Sequence, residues 1–287
     1  MEIRMQASPR DVKNYTTDRL REEFLIQNMF VEDNIKMVYS HADRIIVGSA
    51  MPVEQKLKLE AGSELRAEYF LQRREMGVIN IGGTGSIMID GKTYQVGHKE
   101  GMYIGRGAKE IAFVSENCDN PAKFYFNSTP AHKEYPTVLI RPEGTEEPGV
   151  IVIKPENKVE LGSLEESNHR TICKYILPGQ VESCQLVMGM TSLVPGSVWN
   201  TMPCHTHDRR MEVYLYFELP EDAFVMHYMG EAQETRHIVV RNEEAIISPS
   251  WSIHAGSGSR NYTFIWGMAG ENQDFSDMDG IENKELR

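Results

Sequence analysis

The chain has 287 residues, 40% apolar and 25% charged, the proportions of an ordinary globular protein with enough material for one large domain or two small ones. Its 30 basic and 42 acidic side chains leave a formal charge of −12, which argues against binding nucleic acid or an anionic membrane through a general basic field. A small anionic substrate stays open, because a few local arginines outweigh a global field.

The stretch from Met1 to Arg10 lacks the apolar core of a signal peptide, and no run of about 18 apolar residues is present to span a membrane. Cys118, Cys173, Cys184 and Cys204 form no Cys-x-x-Cys pair, which removes zinc-finger and thioredoxin-like signatures. The expectation is a cytoplasmic protein with reduced thiols. A short helix is predicted from a Thr17 cap, with Leu20, Phe24 and Leu25 on its apolar face. Beyond it the pattern is short strands broken by turn signals. Ser86 to Val96 reads as a hairpin with a type I′ turn at Asp90 and Gly91. Gly82 to Gly85 lacks the later glycine and lysine of a nucleotide loop and reads as a tight turn. The fold class is therefore mainly all-β, of jelly-roll sandwich or barrel type, with a short N-terminal helix.

An internal echo divides the chain. Gln72 to Ile81 resembles Asp208 to Phe217, with one residue of slippage at the acid, and Glu100 to Glu110 can be laid over Glu244 to His254. Two fragments in the same order imply a duplicated unit and two stacked barrels, over residues 1–150 and 151–287. Pro142 to Gly162 is the linker candidate by composition.

Only the second half carries the residues of a metal site. His205 and His207 stand just after Pro203, Glu212 follows five residues on, and His254 lies farther along. Histidines at i and i+2 point the same way on a strand, whereas on a helix they diverge by about 200°. Three imidazoles and one carboxylate make a nitrogen-rich donor set suited to a borderline divalent ion such as Zn²⁺. The plainer alternative is a pair of surface-strand histidines. Cys204 faces away from the pair on such a strand and reads as a buried thiol. Glu212 opens a segment to Phe217 that alternates like a half-buried strand, and the turn Pro249 to Trp251 leads His254 toward another. In the first half Tyr69, Leu71 and Glu110 take the places of His205, His207 and His254, so that barrel lacks metal ligands.

Gly196, the His-x-His pair, Glu212 and the spacing from Pro249 to His254 resemble the two signature motifs of the cupin superfamily, with a longer gap after the glycine and Trp251 where glycine is common. A closer resemblance covers nearly the whole chain. Glu22 to Leu25, Met37 to Gly48, Gly77 to Gly83, Trp199 to His207, Arg209 to Tyr214 and Ser248 to His254 are similar to the 5-keto-4-deoxyuronate isomerase family. That resemblance implies two cupin-type jelly-roll β-barrels assembled as a homohexamer, with one Zn²⁺ per subunit held by His205, His207, Glu212 and His254. It also implies an aldose–ketose isomerase of cytoplasmic pectin and uronate breakdown. The reaction would interconvert 5-dehydro-4-deoxy-D-glucuronate and 3-deoxy-D-glycero-2,5-hexodiulosonate. A small anionic sugar acid calls for a fork of donors, which favours arginine over lysine. Arg209 and Arg210 flank the ligands, and Tyr214 shares strand parity with Glu212, so these three are the substrate-binding candidates. The base that moves the proton is not identified by the residues. The same donor set holds iron or manganese in oxygen-consuming cupins, so a dioxygenase is one alternative and a non-catalytic sugar-binding barrel another.

Overall fold

Short apolar–polar alternations become strands, and in the computed structural model, which describes residues 1–287, they form two jelly-roll barrels. The first pairs an eight-stranded sheet, with Arg74–Asn80 and Gly101–Ile104 near its centre, against a four-stranded sheet containing Gly85–Ile89 and Ile111–Ser115. Met76, Val78, Ile87, Phe113 and Phe126 fill its interior. The second pairs a seven-stranded sheet containing Arg210–Phe217, Glu244–Ser248 and Thr263–Gly270 against a four-stranded sheet with Val225–Glu231 at its centre. Tyr214, Tyr216, Val225, Ile238 and Phe264 fill that interior. The protein is predominantly β.

The two large sheets also pack against each other. Ile79, Tyr103 and Tyr125 from one meet Tyr175, Met188, Val213 and Leu215 from the other in a third core. This changes the character of the central strand Arg210–Phe217. Its alternation suggests one wet face, yet all of its residues are buried, because Met211, Val213, Leu215 and Phe217 face the first barrel while Glu212, Tyr214 and Tyr216 face inward.

The sequence echo has a structural counterpart. Met76 pairs with Ile104 as Glu212 pairs with Ser248, so Arg74 corresponds to Arg210 and Met76 to Glu212. Leu71 and Met76, both apolar, close the first barrel where the second has His207 and Glu212. The slipped acid, Glu75, points the other way, into the seam between barrels. It is fully buried and accepts hydrogen bonds from Tyr103 Oη (2.8 Å), Thr129 Oγ1 (3.1 Å) and the backbone N–H groups of Cys184, Gln185 and Leu186. Five donors make a buried carboxylate tolerable, and they tie the second barrel's Cys184–Leu186 turn to the first.

Two local readings differ from the structure. The N-terminal region holds two short helices, Pro9–Val12 and Thr17–Phe24, and the longer is capped by Thr16 rather than Thr17. Leu20 and Phe24 pack on the second barrel, and Leu25–Ile26 pairs with Ile246 and Ala245 at the edge of its large sheet. The Pro142–Gly162 stretch is more than a linker, since Val150–Val152 adds a parallel edge strand to the first barrel and Lys158–Leu161 opens the second. The hairpin at Asp90 and Gly91 has positive φ at both turn residues (47° and 82°), as a type I′ turn requires.

Candidate metal centre

Three segments bring four donors to one point inside the second barrel. His205 lies on the two-residue strand His205–Thr206, paired with Asp279–Gly280, and His207 follows on the same side. Glu212 projects inward from Arg210–Phe217, and His254 ends the turn before Ala255–Gly258. Their ligand atoms all lie within 4.8 Å of one another. His205 Nε2 is 3.0 Å from both His207 Nε2 and His254 Nε2, and Glu212 Oε2 is 2.8 Å from His254 Nε2 and 3.4 Å from His207 Nε2. Cys204 is buried with Ile253 and Ala255, away from the cluster.

The electrostatics of this cluster fit a divalent cation. His207 Nδ1 donates to the backbone carbonyl of Asp277 (2.7 Å), which leaves the lone pair of Nε2 facing the other donors. Burial and the neighbouring His254 and His207 rings push His205 down to about 3, so its imidazole is neutral. Burial by itself raises the Glu212 carboxyl, and only positive charge on the His254 and His207 side of the site brings it below the ordinary carboxylate range. Glu212 Oε2 is sealed from solvent and accepts no properly formed hydrogen bond. Nitrogen lone pairs and a carboxylate crowded together repel one another unless a cation sits among them, and this is the donor chemistry that zinc-type ions favour.

A cavity of about 310 Å³ opens onto the cluster, with His205, His207, Glu212 and Tyr214 in its wall and Phe264, Trp266 and Phe275 among its apolar lining. Neither Arg209 nor Arg210 lines it. Arg209 is held by Asp277 and Asp279 through Nη2 (2.5 and 2.8 Å). Arg210 is 1% exposed and spreads its guanidinium over the carbonyls of Asp274, Phe275 and Asp277. Together the two arginines strap the Asn272–Asp279 segment across the site, and that segment supplies the carbonyl that orients His207.

The cavity's sole lysine or arginine is Arg170, which sequence reasoning did not single out. Its one hydrogen bond is from Nη1 to the carbonyl of Asn168 (2.8 Å), and it forms no ion pair. Burial lowers its affinity for a proton, while Tyr214 and Tyr262 act in the opposite sense. A partly buried guanidinium without an acid is a ready anion site. The signal for it was parity: Arg170 and Ile172 share the face that turns into the barrel, while Cys173 and Tyr175 face the seam.

The KduI/IolB family model matches residues 24–282. The 4-deoxy-L-threo-5-hexosulose-uronate ketol-isomerase of Lachnoclostridium phytofermentans is 69% identical over 287 residues, covering 100% of both chains. A relative of the same name from Escherichia coli is 53% identical over 289 residues, again covering 100% of both. The fold is also that of an IolB-like protein from Salmonella typhimurium LT2, with a TM-score of 0.69 at 14% identity over 91% of this chain and 97% of the other.

Proposed function

The chain belongs to the KduI/IolB family, and from that premise we propose that it is a metal-dependent ketol-isomerase of uronate breakdown. It interconverts 5-dehydro-4-deoxy-D-glucuronate and 3-deoxy-D-glycero-2,5-hexodiulosonate, an aldose–ketose isomerisation of a sugar acid. The observation that carries the reading is a single cavity whose wall includes both three members of the four-donor cluster, His205, His207 and Glu212, and a guanidinium without an acid partner. A dioxygenase needs the first feature, and the second only if its substrate is also an anion.

His205, His207, Glu212 and His254 are the residues that would hold the ion. A divalent ion there supplies Lewis acidity to the substrate's carbonyl and adjacent hydroxyl oxygens, the charge stabilisation an enediolate demands. The nitrogen-rich donor set favours Zn²⁺, one per subunit. Arg170 binds the substrate carboxylate and so sets which end of the open chain meets the donor cluster. Phe264, Trp266 and Phe275 exclude water from the reacting carbons. Tyr214 is the one lining phenol, and it lies outside both the donor set and the anion anchor. Kinship with the ketol-isomerases also supports pectin as the upstream source and a cytoplasmic homohexamer as the working form. Light scattering tests the assembly. No helix is long and apolar enough to cross a membrane.

The experiment is an isomerisation assay on 5-dehydro-4-deoxy-D-glucuronate with zinc-loaded protein, chelated protein and a folded His207→Ala variant. Turnover confined to the first sample is expected. Equal turnover in all three would rule out a metal-dependent reaction at this cluster.

A further inference from the structure

Thr201 lies in the cavity wall with φ of 54°, a left-handed conformation that a β-branched residue rarely adopts. Such strain persists where surrounding contacts over-determine it, and it concentrates at functional sites. The contacts around Thr201 form a single chain of hydrogen bonds. Tyr262 Oη donates to Asn200 Oδ1 (2.5 Å), and Asn200 Nδ2 donates to Thr201 Oγ1 (2.9 Å). Thr201 Oγ1 in turn lies 3.2 Å from Tyr214 Oη. The Tyr262 hydroxyl is otherwise surrounded by acceptors, the carbonyls of Gly256 (3.1 Å) and Val198 (3.3 Å), so it must act as a donor. Gly256 leaves room for this arrangement, since a Cβ there would come within 2.6 Å of Asn200 Oδ1. Asn200 and Tyr262 are both buried, which shields the start of the chain from competing water.

One assignment of the protons makes Tyr214 a donor to the cavity. Thr201 already accepts from Asn200, so its own proton is free to go to Tyr214. Tyr214 then accepts from Thr201, makes no other hydrogen bond, and keeps its proton for the cavity. We infer that Asn200 and Thr201 are positioning residues that turn the Tyr214 hydroxyl into a donor aimed at a substrate oxygen beside the four-donor cluster. The strained backbone of Thr201 is what lets one hydroxyl reach Asn200 and Tyr214 together. The inference rests on the ketol-isomerase reading and gives it a protein donor for the oxygen on which charge develops as the carbonyl moves between carbons.

The test uses zinc-loaded, full-length protein and follows kcat and KM on the ketouronate, thermal unfolding, and affinity for D-gluconate as an inert open-chain sugar acid. Tyr214→Phe should lower kcat by about 100-fold, the typical effect of losing a donor to a developing oxyanion. Thr201→Val should lower kcat with little change in KM, and Thr201→Ser should restore it. The Thr201→Val/Tyr214→Phe double variant should be no slower than Tyr214→Phe alone, because Thr201 acts through Tyr214. Thr201→Gly should be as slow as the valine variant yet unfold at the wild-type temperature or above, since glycine relieves the positive φ. Asn200→Asp, which can only accept, should reverse the chain and slow turnover. Multiplicative losses in the double variant, or activity that merely tracks unfolding temperature with serine no better than valine, would overturn the inference. A wild type without turnover would defeat the isomerase reading, and the chain would then be judged by gluconate affinity. Coupled losses from Thr201→Val and Tyr214→Phe would support it and additive ones would refute it.

Discussion

The carbonyl oxygen of Asp277 lies 2.7 Å from Nδ1 of His207, and this one contact decides which nitrogen of the imidazole faces the donor cluster. The carbonyl is in turn fixed from the side-chain end of the same residue, where Arg209 and Asn272 grip the carboxylate and hold it down at about 2.

Replacing Asp277 by Ala therefore leaves all four donors in place and still weakens metal binding. The Asn272–Asp279 strap keeps only the Asp279 contact to Arg209, and the carbonyl that orients His207 loosens. Affinity for zinc should fall about 10–100-fold, the usual cost of losing an outer partner of a metal ligand. Competition with a chromophoric chelator measures it. An unchanged affinity would show that the strap is held without Asp277.

Glu212 offers a cleaner energetic contrast. In metal-free protein its carboxylate is buried with an oxygen that no donor satisfies, so Glu212→Gln should unfold no earlier than wild type when both are chelated. Added zinc reverses the order. A ligand that binds only the folded state stabilises it by about 4 kcal/mol at a thousand times its Kd, and the glutamine variant forfeits most of that gain. Thermal unfolding with and without zinc reads both halves, and equal zinc-induced shifts would remove Glu212 from the donor set.

The donor cluster was legible because its signal is local and its chemistry rare. His205 and His207 share a face only on an extended chain, and that constraint survives folding. The duplicated unit was legible too, down to the register of Glu100 on Glu244 that strand pairing reproduces. What escaped depends on contacts between distant segments. Arg209 and Arg210 stand beside the ligands in sequence and are taken up by acids and carbonyls of the Asn272–Asp279 strap, whose own role is played by backbone that no residue pattern encodes. Arg170 escaped because the inward face of its strand is set by the seam between barrels, where Cys173 and Tyr175 lie.

Arg170 should set affinity more than chemistry. A guanidinium that binds a carboxylate equally in ground and transition states changes KM and leaves kcat nearly alone. Arg170→Met should raise KM about 10–100-fold, in line with the roughly 1.5–3 kcal/mol of a charged hydrogen bond, and Arg170→Lys should fall between. An analogue reduced to the alcohol at the carboxylate end should lose far less affinity than the acid. Equal losses on acid and alcohol would mean that Arg170 shapes the cavity wall and does not bind the anion.

The seam between the barrels carries its own pH dependence through Glu218, which reaches from the second barrel to Lys99 (2.6 Å) and His98 of the first. Burial raises its carboxyl, but the bonds from His98, Lys99 and Thr263 outweigh burial and hold it at about 2. An unfolded glutamate titrates near about 4.3, so the folded state binds its proton later than the unfolded one does. Stability from this group is complete above the unfolded value and is lost as pH falls through the folded value, between about pH 5 and pH 2. Because the side chain is 40% exposed, solvent screens the contribution and the effect is modest. Urea midpoints for wild type and Glu218→Gln should differ at pH 7 and converge toward pH 3. A gap that stays constant over that range would place the stabilising contact in the packing of the side chain and not in its charge.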